Sequence, residues 1–192
     1  MRISQGRPTE SGYSIAELLT VVAIIGILSL IAVPQFASMY RSSVTKSSMR
    51  DFTSALRKAR QLAVTRGERT RVILTPGTAA KGSYEIDTGG ALISSPTWVL
   101  YPRSARNLAT GMYFDTSSTL PANASRREVD FLPSGLACSP DDSSSATDPT
   151  VPLPTANNSI VLRSSYKNMA FNQYTITLTT SGGVSVAQFK WQ

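Results

Sequence analysis

An uninterrupted apolar stretch near the N-terminus constrains this chain more than any other feature of its sequence. The stretch runs for 21 residues, from Tyr13 to Val33, and Glu17 is its only charged side chain. As an α-helix it would be about 32 Å long, close to the ~30 Å hydrocarbon thickness of a bilayer. The sequence therefore predicts a helix of transmembrane length, preceded by a short polar segment that contains Arg2 and Arg7.

Three interpretations of this apolar stretch compete. A cleaved secretory signal would have a shorter apolar core, followed by a cleavage site of small residues. A plain membrane anchor explains the length, but it leaves the Glu17 carboxylate in hydrocarbon at a considerable cost in free energy. In the third interpretation, a positive group on a neighbouring subunit neutralises Glu17, so that both charges can be buried. The residues around Glu17 favour the third interpretation.

The segment Gly12-Tyr13-Ser14-Ile15-Ala16-Glu17 resembles the class III signal of type IV prepilins. The resemblance implies that a prepilin peptidase cleaves after Gly12 and methylates the new amine of Tyr13. It also implies that Glu17 pairs with that amine on another subunit during assembly. The implied partners are the prepilin peptidase, other pilin or pseudopilin subunits, and the bacterial inner membrane. The rest of the chain would then form a periplasmic or extracellular head.

The same resemblance divides the N-terminal part of the chain. Residues 1–12 would be the leader peptide, and residues 13–34 the membrane and assembly half of a long helix. Gly26 and Pro34 are poor helix formers, and Pro34 cannot donate a hydrogen bond within the helix. Both are expected to produce a mild kink, and the resemblance implies that the helix can lose helicity around them when the subunit assembles.

Residues 35–66 are predicted to continue this helix as an amphipathic, basic half. Positions with apolar or small side chains recur at helical spacing and define one face: Val44, Ser48, Phe52, Ala55, Leu56, Ala59, Leu62 and Ala63. Basic side chains lie opposite or beside that face: Lys46, Arg50, Arg57, Lys58 and Arg60. Gly67 is expected to terminate the helix.

The net charge of the chain is concentrated near this helix. Residues 41–71 contain nine basic and two acidic side chains, whereas residues 72–192 contain eight of each. Three roles for the basic face stay open: a solvated face that keeps the helix soluble, an interface with an acidic neighbouring subunit, or a site for phosphates of DNA or lipid.

Residues 67–192 are predicted to form a β-rich head. Seven segments have the alternation or apolar content of strands and are separated by turns rich in glycine and proline; they lie at 69–74, 83–87, 98–101, 128–132, 159–162, 174–178 and 184–189. The expected fold class is α+β, with the long helix packed on an antiparallel sheet. Residues 139–158 are rich in Ser, Pro and Asp and are predicted to form an exposed loop.

The composition gives no support to an enzyme, a metal site or a cofactor. The chain has no histidine and a single cysteine, Cys138, so it lacks the commonest general base and cannot form an intramolecular disulfide. The spacing of Asp141, Asp142 and Asp148 does not fit an EF-hand loop. The sequence assigns no role to Cys138.

Residues 55–64, followed by Val72-Ile73-Leu74, resemble the H-type minor pseudopilins of type II secretion and the FimT-like minor pilins. Residues 129–135 and a closing hairpin agree with the same group. The resemblance implies a minor pilin or pseudopilin, and the sequence does not indicate whether its machine serves secretion, motility or DNA uptake. The alternative function is a DNA-binding minor pilin for competence. Some FimT-like proteins bind DNA through Gly-Arg-x-Arg, but the nearest counterpart here, residues 183–186, contains no arginine, so DNA is the less favoured partner.

Overall fold

The computed structural model of this chain contains one long helix and two sheets. The described residues are 12–77, 82–89, 97–115, 117–118, 120, 122–123, 126–138, 158–166 and 172–189. The chain divides into two compact units, residues 1–39 and residues 40–192.

Helix α1 spans Ile15–Arg66. It begins after Ser14, whose hydroxyl accepts a hydrogen bond from the backbone N–H of Ala16 at 3.3 Å. It ends where Gly67 adopts a left-handed conformation with φ of 64°, a backbone geometry that glycine adopts without a steric penalty. The predicted helix terminator is therefore confirmed.

Eleven strands lie within the described residues. They are β1 (Thr70–Thr75), β2 (Ser83–Thr88), β3 (Val99–Leu100), β4 (Arg106–Asn107), β5 (Met112–Phe114), β6 (Ala122–Asn123), β7 (Arg126–Phe131), β8 (Ala137–Cys138), β9 (Ser159–Ser164), β10 (Gln173–Leu178) and β11 (Val184–Phe189).

The strands form two antiparallel sheets. The larger sheet has the order β3-β2-β1-β7-β6, with β4 also pairing with β2 and β8 also pairing with β7. The smaller sheet has the order β11-β10-β9-β5. Strand β1 lies inside the larger sheet, where Val72 pairs with Ile86 on one side and with Val129 on the other.

The apolar face of α1 within residues 40–66 forms part of one core with both sheets. Phe52 is fully buried. Its ring packs edge to face with the rings of Tyr84 in β2 and Phe114 in β5, with centroid distances of 5.2 Å and 5.1 Å. Further along the face, Leu56 and Ala59 are also fully buried. The predicted packing of the amphipathic helix on a sheet is confirmed, and the structure adds that two sheets contact it.

A cluster of charged side chains stabilises the larger sheet. The fully buried Asp130 accepts hydrogen bonds from Arg69 at 2.9 Å and from Arg71 at 2.7 Å. Arg71 also forms an ion pair with Glu128 at 3.2 Å, and its guanidinium lies 4.1 Å from the centroid of the Trp98 ring. A buried carboxylate is tolerated when it is paired and hydrogen-bonded in this way.

The α+β fold class is confirmed, and each of the seven predicted strands is present. The four additional strands, β4, β5, β6 and β8, have two or three residues each and were not predicted. Residues 139–157 of the predicted exposed loop lie outside the described residues, and Asn158, its last residue, is buried.

Candidate assembly surfaces

The first turn of α1 combines two features that stabilise the start of a helix. Ser14 and Glu17 have the spacing of a capping box, and the Ser14 hydroxyl accepts a hydrogen bond from the backbone N–H of Ala16 at 3.3 Å. A carboxylate in the first turn also interacts favourably with the helix dipole. Glu17 thus has a local stabilising role that the sequence-based interpretation, which considered only an intersubunit partner, did not include.

The apolar side chains that follow Glu17 form a continuous exposed surface. Large apolar residues from Ile15 to Val33 are each at least half exposed, and this part of α1 is long and apolar enough to cross a membrane. Since exposing so much apolar surface to water is unfavourable, this surface requires lipid or the apolar surface of another protein.

The two helix-weakening residues lie within α1. The helix is continuous through both Gly26 and Pro34. A Cβ atom added at Gly26 would meet nothing within 4 Å, so no close contact among the described residues requires a glycine at that position.

The predicted basic face is present as an exposed surface of α1, with all five of its members exposed. We call Lys46, Arg50 and Arg57 the free basic face, because none of these three side chains forms an ion pair or side-chain hydrogen bond with the described part of the chain. The other two members contact the head.

Lys58 shares an aromatic partner with Arg66. The Lys58 ammonium lies 4.9 Å from the centroid of the Tyr101 ring, and the Arg66 guanidinium lies 5.2 Å from the same centroid. Each distance is within the range of a cation–π interaction. These contacts join the last turns of α1 to the segment that follows β3.

Arg60 is held by two turns of the head. Its Nε donates a hydrogen bond to the Gly135 carbonyl at 3.1 Å. Gly182, in the turn between β10 and β11, has φ of 75°, and a Cβ atom added there would collide with the Gly135 carbonyl and with Arg60. Only a residue without a side chain fits this junction, which packs the end of α1 against both sheets.

Chemistry other than assembly has little support in the described residues. Within them, no group of three or more His, Cys, Asp or Glu side chains is arranged to hold a metal ion. Cys138 is buried and forms no disulfide with the described part of the chain.

Sequence reasoning did not distinguish the two kinds of basic side chain on α1. Helical periodicity places Lys58 and Arg60 beside the apolar face, which is the signal that they could reach the head. Their partners, Tyr101 and Gly135, are distant in sequence and could not be identified from the periodicity.

Comparison with known proteins identifies the family. The model of the family described as type II transport protein GspH matches residues 48–182, which is more than half of the chain. The chain belongs to the GspH family. The predicted resemblance to H-type minor pseudopilins is therefore confirmed, and this GspH-family chain is a type IV pilin-like protein.

One solved structure similar to this GspH-family chain is the minor pseudopilin EpsH from the type 2 secretion system of Vibrio cholerae. The two chains share 14% sequence identity with a TM-score of 0.49, and the similarity covers 75% of this chain and 96% of EpsH. A comparison with curated proteins gave no match.

Proposed function

We propose that this chain is a minor pseudopilin, a structural subunit that assembles through its N-terminal helix into the pseudopilus of a type II secretion system. The observation that carries the proposal is the exposed apolar surface from Ile15 to Val33, attached to a head of the GspH family. Glu17 is the one charged side chain on that surface. The inner membrane would hold the subunit before assembly, and neighbouring subunits would cover the same surface afterwards.

Processing by a prepilin peptidase is the first step of this function. Gly12 and Tyr13 are exposed and precede the first helical residue, so the bond between them is accessible to an enzyme. Intact-mass analysis of the membrane-extracted protein should show a chain that begins at methylated Tyr13. A mature chain that retains Arg2 and Arg7, or that begins near Gln35, would contradict this step.

Glu17 is proposed to neutralise the amine of Tyr13 on a neighbouring subunit. Because Glu17 also lies in the first turn of its own helix, the test has to separate the two roles. Glu17→Gln removes the charge and keeps a side chain suited to the capping box, whereas Ser14→Ala removes the cap and keeps the charge.

The two variants should behave differently once their cleavage has been confirmed. Incorporation into filaments should fall strongly for Glu17→Gln and remain close to the parent level for Ser14→Ala. Equal incorporation of both variants would show that the charge of Glu17 has no intersubunit role.

The free basic face is proposed to contact acidic groups of a neighbouring subunit. Replacing Lys46, Arg50 and Arg57 together by glutamine should reduce incorporation and leave the stability of the head within ~0.5 kcal/mol of the parent. The same variant tests the alternative function, DNA capture. A sub-micromolar DNA affinity of the parent that is lost in the variant would favour that alternative, and unchanged incorporation would indicate a merely solvated face.

A further inference from the structure

The second compact unit contains an open groove between α1 and the edge of the larger sheet. Its volume is about 550 Å³. Helix α1 contributes Asp51 and Lys58, β2 contributes Tyr84, and the segment that includes β4 contributes Arg103 and Arg106. The groove does not include the free basic face, so it is a separate surface of the head.

The charge of the groove is positive and incompletely compensated. Its ionised side chains are Lys58, Arg103, Arg106 and Asp51. Within the described part of the chain, neither arginine of the groove forms an ion pair. By contrast, the partly buried Arg163 of the smaller sheet is paired with Asp115 at 2.7 Å. The two groove arginines are therefore available to an external anion.

The backbone at Arg103 adopts a conformation that is unfavourable for a residue with a side chain. Arg103 is the one described non-glycine residue with positive φ, at 59°. The Ser104 N–H donates to the Tyr101 carbonyl at 3.0 Å, and Pro102 follows Tyr101, which together indicate a type II turn with Arg103 at its third position. Glycine is the favoured residue there. An arginine at this position costs stability, and its side chain reaches the groove, which is typical of strain retained for function.

Neutral hydrogen-bonding groups lie beside these charges. Burial, together with the negative charge of Asp51, raises the pKa of the Tyr84 hydroxyl above its ordinary value, while Arg106 lowers it. The hydroxyl of Tyr84 therefore remains protonated at neutral pH and can donate a hydrogen bond. Asn107 adds an exposed amide at the edge of the sheet, suited to the main chain of an extended peptide.

We propose that this groove docks an acidic peptide segment of a partner protein, with carboxylates bound by Arg103 and Arg106. A carboxylate side chain can form paired hydrogen bonds with a guanidinium. Asp51 disfavours a continuous polyanion such as a nucleic acid, because a phosphate placed near it would be repelled. A short acidic peptide is less disfavoured, because its carboxylates are on flexible side chains that can turn toward the two arginines and away from Asp51.

The test measures binding of a fluorescent hexaglutamate peptide to the full chain in detergent micelles, with hexaglutamine as the uncharged control, at ~0.15 M salt. This assay uses the unassembled subunit, so its result is independent of whether the N-terminal helix enters a filament. The groove variants are Arg103→Gly and Arg106→Gln. The matched control is Arg41→Gln, which removes one exposed positive charge of α1 outside both the groove and the free basic face.

Hexaglutamate should bind the parent, and each groove variant should weaken the binding by about tenfold or more, as expected for a lost charge-assisted hydrogen bond. Arg41→Gln should change the affinity less than about twofold. Arg103→Gly should also leave the melting temperature unchanged or higher, because glycine relieves the strained turn.

Four results would overturn the proposal. They are no binding of hexaglutamate by the parent, an equal loss in Arg41→Gln, displacement of the peptide by low-millimolar inorganic phosphate, and tighter binding of a single-stranded oligodeoxynucleotide through the same two arginines.

Discussion

Phe52 is the side chain whose removal should damage the head most clearly, since it joins α1 to both sheets. Truncating a buried phenylalanine to alanine costs about 3–5 kcal/mol. The ring of Phe52 is fully buried and has edge contacts at 5.2 Å and 5.1 Å, and such aromatic pairs contribute about 0.5–1.5 kcal/mol each beyond burial. We therefore expect Phe52→Ala to lower the free energy of unfolding by about 4–5 kcal/mol.

The measurement is urea unfolding of the full chain in detergent micelles, followed by near-ultraviolet circular dichroism, which reports on aromatic packing. With a slope of about 2 kcal/mol per molar urea, the midpoint of Phe52→Ala should fall by about 2 M. Phe52→Leu keeps most of the buried volume and loses the aromatic contacts, so its loss should be about 1–2 kcal/mol. Arg50→Ala, an exposed change on the same helix, should stay within ~0.5 kcal/mol of the parent.

Two results would refute this reasoning. If Phe52→Ala lost less than ~1 kcal/mol, the ring could not be a principal contact between α1 and the sheets. If Phe52→Leu lowered the free energy of unfolding as much as Phe52→Ala, the stability at this position would depend on the shape of the aromatic ring and not on the buried volume.

Three further predictions concern the charged cluster, one turn and the response to alkaline pH. Asp130→Ala should lower the free energy of unfolding by about 3–5 kcal/mol in the same assay, because it removes the carboxylate that pairs with the fully buried Arg69. A loss below ~1 kcal/mol would contradict the role of the cluster. Gly182→Ala should lower the free energy of unfolding by about 2–4 kcal/mol, because of its positive φ and the collision described above. Gly26→Ala should be neutral or stabilising. Similar melting temperatures for the two variants would be inconsistent with the turn geometry. Burial raises the pKa of the Tyr174 hydroxyl. Its contribution to stability is therefore complete below about pH 10 and is lost as the pH rises through its folded-state pKa. Tyr174→Phe should flatten the fall in stability measured above about pH 10, and an unchanged slope would argue against the shift.

Periodicity in the sequence was sufficient to predict the helix and the longer strands. The face that contains Phe52 and Leu56 repeats at the spacing of an α-helix, and the structure buries it. Gly67 terminates the helix for a reason local to its own backbone. These features depend on neighbours within a few residues, which is the range over which a single sequence is informative.

The contacts that join distant segments could not be predicted in this way. The hydrogen bond from Arg69 to Asp130 spans 61 residues of sequence, and that from Arg60 to Gly135 spans 75. Neither pair has a periodic signal, because an ion pair or a turn carbonyl can be met from many positions. Strand β4, with two residues, is too short for alternation, so the groove that it borders could not be predicted either.

The position of β1 has a mechanical consequence for the subunit. Only three residues separate the end of α1 at Arg66 from the start of β1 at Thr70, so a force applied along the helix passes almost directly into that strand. Six residue pairs hold β1 on one side and five on the other. A load directed along the strand must shear both rows of hydrogen bonds together, whereas a strand at the edge of a sheet could be peeled away one bond at a time. The head is thus attached to its helix through an interior strand, which resists extraction better than a strand at the edge of the sheet would.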